Sequence, residues 1–237
     1  MSAWAPKRFW TSAEVAEVAG GFAVTLDGRH VKTPAKAPLV VPSRALAEAI
    51  AREWQAQDEK IDPATMPVTR GANAAIDKVR SQHAEVAALI ADYGGTDLLC
   101  YRAEAPRELV ARQSAHWDPL LDWAEAALGA RLAVTQGVVP VAQPEAALAA
   151  LSARVATMDE WQLAALHDLV GLTGSLVLGL AVAGGRLTAD EAWTIAQLDE
   201  AWQAEQWGAD DEAAAHAERK REALLAAERF WRMRHAL

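Results

Sequence analysis

The side chains able to do covalent, acid–base or metal chemistry are few in type and scattered in position. One thiol is present, Cys100, in the stretch GGTDLLCYRAE. A nucleophilic cysteine needs a nearby base or cation to hold it as the thiolate. No pattern around Cys100 supplies one, so it reads as a small apolar filler. Asp97 and Arg102 flank it closely enough for a local ion pair or turn. The six histidines, at 30, 83, 116, 167, 216 and 235, stand singly. None is four residues from another, the spacing that sets two imidazoles on one helical face. His216 and Glu212 have that spacing but lie in an alanine-rich, solvated stretch, so no metal is expected there. Glycine-rich dinucleotide and phosphate loops and the Gly-x-Ser-x-Gly elbow are absent. Burial can tune a carboxylate for acid–base work, yet no other group converges with one to orient a substrate. The expectation is a protein with no catalytic residue, no metal and no cofactor.

What remains is the chemistry of recognition, and it concentrates in LDEAWQAEQWGADDEA, residues 198–213. Thr188 caps the helix leading into it, with Glu191 completing a capping box. The spacing predicts one helix over 188–206, with Ile195, Leu198 and Trp202 on one face. Asp199, Gln203 and Gln206 form a neighbouring stripe, and Glu200 points away. Trp207 ends the helix, and Gly208 suits the left-handed position after it. Asp210, Asp211 and Glu212 open the next helix, where negative charge complements the dipole. An amphipathic helix and a charged turn account for most of this. They do not require Trp202, Glu205 and Trp207 together, aromatic anchors ringed by polar groups as in binding hot spots.

The elements that must position this stretch divide into an antiparallel β part and a helical part. In FAVTLDGRHVKT, Asp27-Gly28 between alternating runs predicts a hairpin whose two central residues take positive φ. Phe22, Val24 and Leu26 share one face. Gly20-Gly21 before it and Pro38 to Val41 after it suggest a small meander. Ser43 caps a helix near 43–57 in which Leu46, Ile50 and Trp54 form an apolar stripe. Pro63 and Pro67 then suggest a hinge. Further helices are expected near 67–79, 82–92, 106–128, 143–157, 159–183 and from about 210 to 233. Asp118-Pro119 allows 106–128 to be two helices or one with a kink, and 131–136 could be one short strand. The run from Leu169 to Ala183 is shorter than the roughly 20 residues of a membrane span, so it reads as a buried core helix. Its small residues Gly171, Ser175, Gly179 and Ala183 make a stripe for close approach of a neighbour. The fold class is α+β, with a β-rich domain over 1–62 and a larger helical domain over 63–237.

A net charge of −9 and a pI near 5.2 oppose binding to nucleic acid or to an anionic membrane surface. A single cysteine fits a reducing compartment. The first residues, MSAWAPKRFW, lack the apolar run of a secretory signal. A bacterial-type cytoplasmic protein, or a matured protein of the mitochondrial matrix, is expected.

The stretch 198–213 resembles the signature of the assembly chaperones that protect the alpha subunit of F-type ATP synthase. KRFW (7–10), residues 24–77, GTDLLCYRAE (95–104), WDPLLDWA (117–124) and GSLVLGLAV (174–182) carry the same likeness in order along the chain. The resemblance implies a β-rich N-terminal domain joined to a helical one, and a monomer. It implies binding to the free alpha subunit without nucleotide hydrolysis. Free alpha exposes an apolar surface meant for its beta neighbours, an aggregation hazard that a chaperone covers until beta arrives. By analogy the contact surface falls on Asp199, Glu200, Glu205, Trp207 and Asp210. Trp202 and Gly208 are structural, and Trp54 and Arg70 join the two domains. The alternatives are a scaffold with another partner and a hydrolase lacking a recognisable motif. A deep pocket with converging polar groups would mark the hydrolase.

Overall fold

The computed structural model describes residues 7–137, 139–208 and 210–235. The chain divides into two compact units. The first comprises Met1–His83, Glu160–Ala165 and Arg229–Leu237, and the second Ala84–Asp159 and Leu166–Glu228. The first unit thus continues past residue 62.

The first unit is built on a small antiparallel sheet. β1 (Ala13–Val18) and β2 (Gly21–Leu26) pair along their full length, and β2 also pairs with the short strands β3 (Arg29–His30) and β4 (Val40–Val41). The β2–β3 turn is the expected one, with Asp27 at φ 47° and Gly28 at φ 79°. Asp27 stays there because its carboxylate accepts from the Thr11 and Ser12 amides at 2.9–3.1 Å. α1 (Arg44–Gln55) lies on this sheet, capped by Ser43 whose Oγ accepts from the Leu46 amide at 3.2 Å. Leu46 and Ile50 are fully buried among Val24, Leu26, Leu39 and Val41. Truncating either to alanine would cost about 2–5 kcal/mol. α2 (Pro67–Ala74) follows, and Glu53 of α1 accepts from the amides of Val68 and Thr69 at 2.7 Å in its first turn. A carboxylate at a helix N-terminus satisfies orphan amides and complements the dipole. A five-residue π-helical turn, Ala75–Val79, continues α2.

The second unit is helical. α3 (His83–Ala91) leads through 3-10 turns to β5 (Tyr101–Arg102). α4 (Arg107–Leu128) is one unbroken helix that contains Pro119, and it ends on Gly129 in the left-handed conformation. The strand expected at 131–136 contracts to β6 (Thr135–Gln136), which pairs in parallel with β5. α5 (Glu145–Ala156) follows. The single helix expected at 159–183 is two, α6 (Glu160–Thr173) and α7 (Leu176–Ala183). Gly174, at φ 69°, stops α6, and Ser175 starts α7 by accepting from the Leu178 amide at 3.0 Å. The small residues therefore do not line one helix. Gly179 instead lets α7 fold back on α6, for a Cβ there would lie 2.5 Å from Val170 Cγ2. The remaining helices are α8 (Ala189–Ala196), α9 (Leu198–Trp207) and α10 (Asp211–His235). Among the described residues no helix is long and apolar enough to cross a membrane.

Candidate functional site

α9 carries the acidic tryptophan sequence, and its placement begins one helix earlier. Thr188 and Glu191 form the expected capping box, with Thr188 Oγ1 accepting from the Glu191 amide and Glu191 Oε2 accepting from the Thr188 amide. The helix does not run on to 206 as expected. It breaks at Gln197, at φ −95° and ψ 19°. In a continuous helix the Ile195 carbonyl would accept from the amide four residues on. Here it accepts from the indole of Trp117, a fully buried residue of α4, at 3.1 Å. Ile195 and Leu198 thus belong to separate helices, with Leu198 buried and Trp202 half-buried.

Three consecutive contacts tie one face of α9 to α4. Asp199 accepts from Gln113 Nε2 at 2.7 Å, and the Gln113 carbonyl accepts from the Ala103 amide at 2.9 Å. Gln113 is fully buried, so its amide is spent on these two partners. Arg112 forms a two-pronged pair with Glu205, at 2.8 and 2.9 Å. Its guanidinium also lies 4.8 Å from the centroid of the Trp202 ring, a cation–π geometry. The hydrogen bond from Arg112 holds the Glu205 carboxyl below its usual range, and Glu205 raises Arg112 in turn. Beside this pair runs a groove of about 380 Å³, lined by Arg112, His116, Thr194, Ile195, Leu198, Ala201 and Glu205.

The opposite face of α9 is open. Trp207 is 79 % exposed, and Glu200 is exposed on the same side, seven residues and two turns earlier. The Trp207 side chain makes no hydrogen bond or ring contact with a described residue. Gly208 ends the helix with φ 93°, as expected, but ψ 157° sends the chain out extended rather than into a left-handed turn. Asp210 is exposed and caps α10, accepting from the Ala213 amide at 2.7 Å. The five residues assigned to the partner surface therefore fall into three settings. Asp199 and Glu205 face α4, Glu200 and Trp207 face solvent, and Asp210 serves a helix end. Arg112 and Gln113 were not among the residues singled out from sequence, because nothing local distinguishes them.

Trp54 is half-buried with its ring edge-on to Trp10 at 5.2 Å, inside the first unit's core. Arg70 is exposed on α2. Cys100 is fully buried, and burial together with the nearby Asp97 charge pushes its thiol up to about 12. At that value the thiolate is scarcely populated at neutral pH. Asp97 is also fully buried, and it accepts from the Leu99 amide, the Ser175 hydroxyl and the Val177 amide at 2.7–3.0 Å. Arg102 does not pair with it. It forms an ion pair with Asp118 at 2.8 Å and donates through Nε to the Leu99 carbonyl. No group of three His, Cys, Asp or Glu side chains among the described residues could hold a metal ion.

Comparison with known proteins covers both units. The sequence profile of the ATP12 chaperone protein family matches residues 7–125. The mitochondrial protein atp12 of Schizosaccharomyces pombe is 26% identical over 219 residues, covering 87% of this chain and 75% of that protein. The crystal structure of Atp12 from Paracoccus denitrificans matches with a TM-score of 0.93 at 52% identity, over 97% of this chain and 98% of that one. The Atu1473 protein of Agrobacterium tumefaciens matches with a TM-score of 0.92 at 47% identity, over 96% of this chain and 86% of that one. The profile match ends before α9, whereas both structural matches extend across it.

Proposed function

This chain belongs to the ATP12 chaperone family, and from that premise we propose that it binds the free alpha subunit of F-type ATP synthase. It masks the alpha surface destined for beta and is displaced when beta arrives, with no nucleotide hydrolysed. It acts as a monomer in the bacterial cytoplasm, or in the matrix if the chain is a matured mitochondrial protein. The observation that carries this reading is Trp207, 79 % exposed on a helix whose other face is fastened to α4. A large indole held in water by a fixed helix is a preformed anchor, which lowers the ordering cost of binding. Glu200 beside it adds charge selectivity, and Glu205 borders the contact from the groove side. Asp199 and Asp210 belong to the same surface by fixing the angle of α9 and the start of α10.

The test is co-expression with the alpha subunit of the same organism, followed by size-exclusion chromatography. A soluble one-to-one complex that dissolves when beta is added is expected. Trp207→Ala should weaken it by about 2 kcal/mol or more, the loss typical of a hot-spot aromatic, with the circular-dichroism spectrum unchanged. Alpha that stays insoluble while this chain elutes alone would overturn the proposal.

A further inference from the structure

Charge is divided unevenly between the two compact units. The first contains 14 Lys and Arg against 10 Asp and Glu, a formal charge of +4, and the second 9 against 22, a charge of −13. Between Asp27 and Glu48 stand Arg29, Lys32, Lys36 and Arg44, with no Asp or Glu among them. Arg44 pairs with Glu17, and Arg29 acts on the Asp27 charge. Lys32, Lys36 and, farther along, Lys78 are exposed and form no ion pair with a described residue.

The backbone brings these three lysines into one neighbourhood. Lys32 bridges to Pro38 across the base of a short loop. The Thr33 amide donates to the Ala37 carbonyl at 2.9 Å, and the Lys36 amide to the Thr33 carbonyl at 2.8 Å. Asp77 fastens this loop, accepting from the Thr33 hydroxyl at 2.6 Å and the Ala35 amide at 3.0 Å, and Lys78 is the next residue. The Asp77 charge offsets one lysine of the three. Both pieces of backbone depart from regular geometry. Lys36 has φ 71°, at the left-handed position that three-residue hairpin loops normally give to glycine. Asp77 and Lys78 lie in the π-helical turn Ala75–Val79, a form frequent at functional sites.

We infer that Lys32, Lys36 and Lys78 form a cationic face that receives a short acidic segment of the alpha subunit, with two or more Asp or Glu side chains presented together. Unpaired ammonium groups on a fastened loop give the occupant's sign by charge complementarity. A lysine held where glycine would fold with less strain is kept for its side chain. Lysines on a sheet edge also deter edge-to-edge pairing. That purpose requires neither the left-handed Lys36 nor Lys78, which stands on a helical turn. A long polyanion such as nucleic acid would be opposed by the −13 of the second unit, so a short carboxylate cluster is the favoured occupant. The inference rests on the proposed alpha-subunit reading and deepens it by giving the chemistry of a second contact, in the first unit.

The experiment measures binding of the purified alpha subunit to the full chain and to three variants, each checked by thermal unfolding. Lys32→Glu with Lys78→Glu should weaken binding by about tenfold or more. Added salt should weaken the parent's binding more than this variant's. Lys7→Glu with Lys60→Glu makes the same change of charge elsewhere in the first unit and should bind like the parent. Lys36→Gly relieves the strained backbone while removing the ammonium, so it should unfold at higher temperature yet bind alpha about threefold or more weakly. Unchanged binding by a folded Lys32→Glu, Lys78→Glu chain would overturn the inference. Equal loss in the Lys7→Glu, Lys60→Glu chain would overturn it too, by assigning the effect to overall charge. A stabilised Lys36→Gly chain that binds alpha fully would make Lys36 a turn residue only, and the face as drawn would fail. If Lys32→Glu with Lys78→Glu instead abolishes retention on RNA or anionic vesicles while alpha binding persists, the face serves a polyanion and the inference is wrong. Failure of the parent chain itself to bind alpha would overturn the proposed partner, and the occupant of this face with it.

Discussion

At the scale of single residues, the two informative carboxylates titrate in opposite senses. Asp97 is sealed in the second unit, and burial raises its carboxyl even though the Val177 and Leu99 amides and the Ser175 hydroxyl pull it down. The folded chain therefore holds this proton more tightly than the unfolded chain, whose carboxyl stays near 3.8. Stability from this site is full below that pH and is lost as pH rises through the raised folded value. Asp97→Asn, a mimic of the protonated acid, should cost most at acid pH and progressively less toward neutrality in urea unfolding. Asp97→Ala, which strands three donors, should cost about 2–4 kcal/mol more than Asp97→Asn at acid pH, with the same decline toward neutrality because neither residue titrates. A flat difference between Asp97→Asn and the parent across pH would contradict this. Glu205 behaves the other way. Arg112 depresses it, so its contribution is present above 4.5 and is lost as pH falls through the lowered folded value. Acid thus loosens α9 from α4 at the pH range where Asp97 is most favourable. Neither sense was legible from sequence, since that of Asp97 depends on its burial by the tertiary fold and that of Glu205 on Arg112, 93 residues away.

At the scale of elements, short-range signals were readable and long-range ones were not. Asp27-Gly28, Ser43 and the Thr188–Glu191 box each act within four residues, and each forms the turn or cap its spacing dictates. The α6–α7 corner was also written locally, as a glycine stop followed by a serine start, but an apolar run on either side concealed it. The break at Gln197 had no such signal, because a buried indole from α4 takes the carbonyl that would have continued the helix. The same reason limits the candidate site. Residue types in 198–213 made the stretch a candidate for recognition, whereas which of them face outward depends on Arg112 and Gln113 of α4. The close approach of α7 to α6 at Gly179 offers a quantitative check. Alanine there gains up to about 1 kcal/mol of helix propensity, yet its Cβ must lie 2.5 Å from Val170 Cγ2. Overpacking costs of about 1–3 kcal/mol outweigh that gain, so Gly179→Ala should lower stability in chemical denaturation. Pairing it with Val170→Ala should recover part of the loss, and an absence of coupling would place the strain elsewhere.

At the scale of the whole molecule, an acidic chain of the ATP12 chaperone family sets one large indole in water at the end of α9. The proposed anchor, Trp207, is preformed on a helix that α4 holds in place. Anchoring through one exposed indole has a further consequence, because the same ring is an optical reporter. Trp10, Trp117, Trp161 and Trp193 are buried and should emit as indoles in an apolar interior, while Trp207 should emit as one in water. Seating the alpha subunit on α9 should therefore shift the emission to the blue and shield it from acrylamide. Trp207→Phe should abolish both changes, and a shift that persists in that variant would place the reporting indole elsewhere, in half-buried Trp202 or in the partner. The residue that takes hold of the partner would in that way also signal, in real time, the moment it lets go.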